Sequence, residues 1–184
     1  AQAAIAGGKH VVLVNAELDA TIGPILKHQA DQAGVVLTDT DGDEPGVAMN
    51  LLRFVETIGY RPLLAGNIKG FINRHRNPDT QREFAARVKQ RAPMITSFAD
   101  GTKLSMETCI LANAAGFKVG RPGMFGPSCQ HVKEVLEHFT PDQLLEAGGM
   151  VDYVLGAEPG TGAFVVGYND EPLKQEYMQY FKMG

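Results

Sequence analysis

Three groups of residues have the side-chain types and spacing to do chemistry. The first gathers acids at the ends of two predicted strands: Asn15, Glu17 and Asp19 after the first, Asp43 and Glu44 after the second. On neighbouring strands of a parallel sheet these would share one rim, where carboxylates can hold a divalent cation, orient a polyol or share a proton. Acids also cap helices and complement the helix dipole, so solvated loop acids and caps are the plain alternative. The second is Lys69, set between Gly66 and Gly70 with Asn67 and Asn73 nearby and Arg74, His75 and Arg76 beyond. A lysine where glycines let the backbone approach a ligand can protonate a developing alkoxide or pair with a phosphate. The alternative there is a flexible surface loop. The third is Glu107, placed among Leu104, Met106, Ile110 and Leu111; on the core side of a helix its pKa would rise, and on the other side it would point to solvent.

Other residue types carry less. The five histidines show no metal-ligand spacing, and Cys109 and Cys129 are too sparse for a zinc site. His28, His131 and His138 read as helix-surface residues. Gly120-x-x-Gly123-x-x-Gly126 and Gly160-x-Gly162 do not fall between a strand and a helix, so they read as turns and not as phosphate cradles.

The elements that must position these groups follow from hydrophobic period and punctuation. Val11–Val14 is a short apolar run suited to a strand covered on both faces. A helix follows, with Ile22, Ile25, Leu26, Ala30 and Ala33 at helical spacing and Gly34 as its stop, and then a second strand over Val35–Leu37. Val47, Leu51, Leu52, Val55 and Ile58 define a helix begun by Pro45 and closed by Gly59. Leu63–Ala65 predicts a strand entering a long loop, Gly66–Pro78, and Thr80 with Glu83 predicts a capping box. Met94–Phe98 reads as a strand and Asp100-Gly101 as a hairpin turn. Lys103–Ala115 is helical with Gly116 as its stop. Gly120–Ser128 crosses to a helix carrying Val132, Val135, Leu136 and Phe139, and Thr140-Pro141 starts another. Val151–Leu155 and Ala163–Tyr168 pair as strands around the turn 158–162. The small apolar residues 1–8 read as the end of a helix.

The expected fold class is therefore α/β to α+β: a remnant of a Rossmann-type parallel sheet over residues 1–45, then a mixed or antiparallel sheet covered by helices over 46–184. The first strand thus reads as the middle of a nucleotide-binding domain. In 184 residues, 17 basic and 21 acidic side chains give a mildly acidic protein, formal net charge −4, with no field favouring nucleic acid or an anionic membrane. A small-molecule substrate is expected. Two cysteines and no run of membrane-span length argue against a disulfide framework and an anchor, and fit a cytoplasmic protein. The stripe Leu173, Tyr177, Phe181 needs cover, from its own sheet or from a second copy, so a homo-oligomer is expected.

Five segments carry a family resemblance. Gly8–Gly23 (Gly-Lys-His-Val-Val-Leu-Val-Asn-Ala-Glu-Leu-Asp-Ala-Thr-Ile-Gly), Gly42-Asp-Glu-Pro45, Ala65-Gly-Asn-Ile-Lys-Gly70, Asp100-Gly-Thr-Lys103 and Met106–Phe117 resemble the homoserine-dehydrogenase-like oxidoreductases that often carry a C-terminal SAF domain. That group includes reductoisomerase-like enzymes able to make methylerythritol phosphate from deoxyxylulose phosphate. The resemblance implies an NAD(P)-binding Rossmann domain ahead of an α+β catalytic and dimerising domain. The Gly-x-Gly-x-x-Gly fingerprint is absent here, as is a SAF module, so a catalytic-domain fragment is expected. Homoserine dehydrogenases place a lysine where this chain has Ala16, which argues against homoserine as substrate. The resemblance makes Lys69 and Glu107 the catalytic candidates, and Asn15, Glu17, Asp43, Glu44 and Asn73 the substrate-binding ones. It also implies Asn15 at the cofactor and Glu17 and Asp43 as candidate ligands of a possible divalent metal. Two other readings stay open: a non-catalytic ligand-binding or regulatory module on a dehydrogenase scaffold, and a metal-dependent sugar-phosphate isomerase.

Overall fold

The computed structural model describes residues 1–183. The chain forms an α/β fold with two sheets. After the short helix α1 (Gln2–Ala6), strand β1 (Val11–Leu13), helix α2 (Ala16–Gln32) and strand β2 (Leu37–Asp39) make a parallel unit, with Val11 opposite Leu37 and Leu13 opposite Asp39. Then come α3 (Glu44–Thr57), β3 (Arg61–Lys69), α4 (Pro78–Arg87), α5 (Ala92–Ala99), α6 (Thr102–Ala115) and β4 (Lys118–Val119). A 3-10 helix (Val132–Glu137), α7 (Pro141–Ala147), β5 (Met150–Leu155), β6 (Gly162–Tyr168) and α8 (Pro172–Tyr180) complete it.

The larger sheet has the order β4-β5-β3-β6, parallel from β4 through β3 and antiparallel at β6. Its central strand is buried from Pro62 to Ile68 because both faces are covered. Leu64 and Ile68 join Met150, Val154, Phe139 and Leu144 on one side. Ala65 joins Val151, Ala48, Leu52 and Leu111 from α3 and α6 on the other. Side chains two apart on a strand share a face, so Asn67 and Lys69 follow Ala65 toward α3 and α6, and that parity is what delivers them to the candidate site.

Several expectations change. The small sheet is only half covered: Leu13 is buried, but Val12 and Val36 are exposed, and β2 lies two residues beyond the predicted run. Gly66–Lys69 is strand and not loop, the last turn of pleat on β3. Met94–Phe98 is helical: Pro93 opens α5, and Ile95 and Ala99, four apart, bury on one side while Met94 and Phe98 are exposed on another. Asp100-Gly101 therefore joins two helices, with Gly101 at φ 92 and the Asp100 carboxylate accepting from the Thr102 N–H at 2.8 Å. The capping box of α4 uses Asn77 with Thr80, where Glu83 had been expected. β5 and β6 do not pair with each other but flank β3, because the long buried β3 offers both of its edges. α8 buries none of its residues, leaving Leu173, Tyr177 and Phe181 exposed. Among the described residues, no helix is long and apolar enough to cross a membrane.

Gly66 has a specific cause. A Cβ there would lie 1.5 Å from the carbonyl oxygen of Asp152 on β5, so this close backbone approach is a packing requirement of the sheet. Gly66→Ala should cost about 3 kcal/mol, as overpacking against rigid backbone does, read as a lowered midpoint in urea unfolding. An unchanged midpoint would show that the two strands can separate freely at this point.

Candidate active site

Four elements converge on one polar cluster. The start of α3 supplies Asp43, its N-cap residue, and Glu44, its first helical residue. Gly46 makes this possible, since a Cβ there would meet the Thr40 carbonyl oxygen at 2.1 Å and push the preceding loop off the helix. α6 supplies Lys103 and Glu107, one turn apart on one face. β3 supplies Asn67 and Lys69 at its carboxyl end, and the first turn of α2 supplies Glu17.

Charges alternate through the cluster. Lys69 Nζ lies 3.4 Å from Glu44 Oε1, and Lys103 Nζ lies 3.3 Å from Glu107 Oε1 and 3.8 Å from Glu17 Oε1. Asn67 Nδ2 donates to Glu107 Oε2 at 3.1 Å. One carboxylate oxygen each from Asp43, Glu44 and Glu107 fall within 4.8 Å of one another. Glu107 is wholly buried and Asn67 is 1 % exposed.

This crowding divides the protonation states. Burial, together with the neighbouring Glu44 and Asp43 charges, pushes Glu107 up to about 7 against the opposing pull of Lys103 and Lys69. Asp43 is raised mainly by burial and by its hydrogen bond with Glu44. Glu44 goes the other way: burial opposes its charge, but its own backbone N–H at the helix start, Lys69 and the hydrogen bond from Asp43 hold it below the usual range. Within that pair Asp43 is the one that holds a proton more readily and Glu44 the one that ionises more readily. Lys103 is kept protonated despite burial by Glu107, Glu17 and Asp43.

The sequence-derived candidates separate accordingly. Lys69, Glu44, Asp43 and Glu107 come together, and Glu107 faces inward. Glu17 joins through Lys103 but stands outside the three-carboxylate group, where the sequence had placed a candidate metal ligand. Asn15 caps α2, its Oδ1 accepting from the Leu18 N–H at 2.6 Å. Asn73 lies in the loop after β3, where its Oδ1 accepts from the His75 N–H at 3.1 Å. Its exposed neighbours Arg74, His75 and Arg76 lie in the same loop. Lys103 and Asn67 were not singled out as site residues. The Lys-x-x-x-Glu spacing of 103 and 107 was a readable signal for the first; Asn67 has none until β3 is known to reach Lys69.

A second group of acids lies beside the cluster, in a cleft of about 750 Å³ lined by Asp19, Asp39, Asp41, Asn50, Ile110 and Asn113 among others. Burial and the charges of Asp19 and Asp43 raise Asp39 to about 6. Of the acids expected to share one rim, only Asp19 lines this cleft; Glu17, Asp43 and Glu44 lie in the Lys69–Glu107 cluster and Asn15 caps α2. The cleft is distinct from that cluster, with Asp43 between the two.

A two-layered α/β fold with a buried, charge-alternating cluster at strand and helix ends has the form of an enzyme's catalytic domain. Residues 42–184 match the family described as oxidoreductase DRL, catalytic domain, and the chain belongs to that family. It is an oxidoreductase catalytic domain. A search of curated proteins found no match.

Proposed function

We propose that this domain serves an NAD(P)-dependent oxidoreductase acting on a small hydroxylated or phosphorylated carbonyl compound, of the homoserine-dehydrogenase-like or reductoisomerase-like kind. The observation that carries the reading is Lys69, sheltered at the end of β3 and paired with Glu44, whose pKa is lowered while that of its neighbour Asp43 is raised. Reducing a carbonyl needs a proton delivered to the forming alkoxide and a site dry enough for that charge to be felt. Lys69 Nζ gives that proton to the carbonyl oxygen, and Asp43 restores it through Glu44. Lys103 holds Glu107 in place and balances the buried charge. Bound NAD(P)H supplies the hydride. Asn15, at the carboxyl end of β1 where parallel sheets present their ligands, is the candidate cofactor contact, and Asn73 is a candidate at the edge of the substrate side. The exposed apolar stripe of α8 supports a homo-oligomer, and the unpaired Cys109 and Cys129 suit the cytoplasm.

The test is turnover, by this domain within the full-length polypeptide, of a panel of small aldehydes and ketones, hydroxylated or phosphorylated, in the presence of NADH or NADPH. Carbonyl-dependent oxidation of the reduced nicotinamide is expected; none with any partner would leave a binding or regulatory module as the better reading. The three carboxylates favour a second reading, a metal-assisted isomerase, since Asp43, Glu44, Glu107 and the Asn67 amide oxygen are hard donors suited to a divalent ion. A metal there would polarise the substrate oxygen. Turnover unaffected by a chelator removes that reading.

A further inference from the structure

Two oxygen atoms in the middle of the cluster have no hydrogen-bond donor: Oδ1 of Asn67 and Oε1 of Glu107. The amide nitrogen of Asn67 is committed to Glu107, so Asn67 stands at the cluster with its oxygen unmatched. Glu107 Oε1 is matched only by the Lys103 ammonium group, an ion pair at 3.3 Å, which leaves Asn67 Oδ1 as the atom with no counterpart at all. A buried acceptor without a donor costs about 1–3 kcal/mol, and such atoms call for a specific explanation, a ligand group among them.

We propose that Asn67 and Glu107 together read a hydroxyl group of the substrate, the Asn67 amide oxygen accepting from it while the Glu107 carboxyl group engages the hydroxyl oxygen. This rests on the oxidoreductase reading, since the hydroxyl belongs to the carbonyl compound held beside Lys69. Asn67 then becomes a specificity-determining residue. The alternatives fit the surroundings less well. A phosphate would face Asp43, Glu44 and Glu107. A divalent ion among the three carboxylates would compete with two ammonium groups already in place, Lys103 at Glu107 and Lys69 at Glu44. A hydroxyl is neutral; its O–H supplies the donor that Asn67 Oδ1 lacks, and its oxygen can accept from Glu107 when that carboxyl group carries the proton. The groups facing Glu107 are Lys103 on its own helix, Asn67 and Lys69 from β3, and Asp43 and Glu44 from α3, with Glu17 reached through Lys103. A carboxyl group in that position can donate to the hydroxyl oxygen or accept from its proton.

Hydroxyacetone and acetone are suitable probes, titrated without any nicotinamide and followed by ligand-observed NMR and by the side-chain amide signal of Asn67. Hydroxyacetone should bind about tenfold or more tighter than acetone, the scale of one hydrogen bond to a charged group, and should move the Asn67 amide signal. Asn67→Leu should bring the two probes within about twofold of each other; if it does not fold, Asn67→Ser, which withdraws the amide, should do the same. Glu107→Gln should keep the preference, because glutamine still donates and accepts. Equal binding of the two probes by the unaltered protein would overturn the proposal. So would an Asn67 signal moved by magnesium chloride alone and not by hydroxyacetone. No turnover enters the measurement, so a protein that prefers hydroxyacetone yet reduces no carbonyl overturns the proposed carbonyl reduction and still supports hydroxyl recognition.

Discussion

Lys69→Met should lower kcat for carbonyl reduction by about 10²–10⁴-fold, the range for losing a positioned general acid, and should change KM by much less. The reason lies in where Lys69 stands. Its ammonium group is the one cluster cation at the open end of β3, with a side chain 18 % exposed and a single carboxylate partner, Glu44. Lys103 is more enclosed and is engaged by two acids, Glu17 and Glu107. Lys103→Met should therefore act differently, strongly lowering stability by leaving Glu107 buried without its nearest counter-charge. Melting temperatures alongside steady-state rates separate the two: Lys69→Met folds well and turns over slowly, whereas Lys103→Met melts early. A Lys69→Met protein with unaltered kcat would remove the assigned proton donor.

The pH dependence of stability should carry the signature of Glu107. Its pKa in the folded protein is raised to about 7 from an ordinary 4.5, so the folded state holds a proton that the unfolded chain releases earlier. The contribution to stability is full below about 4.5 and is lost as pH rises through 7. Asp39, raised to about 6, acts in the same direction over a lower window, and Glu44, depressed, acts in the opposite direction at acid pH. Glu107→Gln removes the first effect alone. In unfolding experiments between pH 5 and 8.5, the unaltered protein should lose stability relative to Glu107→Gln across neutrality. Two parallel curves would mean that Glu107 titrates where an exposed glutamate does.

The parallel unit and the helices α2, α3 and α6 are legible in the chain, because each rests on a local pattern: an apolar run, a 3.6-residue period, a glycine stop. What was not legible depends on partners distant in sequence. Met94–Phe98 has strand-like composition, yet it follows a proline suited to a helix start and buries Ile95 and Ala99 on one helical face. The pairing of β5 and β6 looked local, but Gly66 lets the Asp152 backbone approach β3 more closely than a side chain would allow, and β3 takes both neighbours. The site shows the same division. Asp43, Glu44, Lys69 and Glu107 announce themselves by residue type. Asn67 matters only because β3 is one strand as far as Lys69 and pleat parity turns 65, 67 and 69 toward α6. Lys103 was visible as one turn from Glu107, but the significance of that pair required knowing that Glu107 is buried.

The measurement closest to the central claim is deuterium transfer from nicotinamide cofactor labelled at its hydride position to a small hydroxylated carbonyl compound, followed by mass spectrometry of the product. The unaltered protein should place one deuterium on the former carbonyl carbon, and Lys69→Met should do so at least about 100-fold more slowly. Equal rates of deuterium transfer in the two proteins would contradict a Lys69-centred oxidoreductase site.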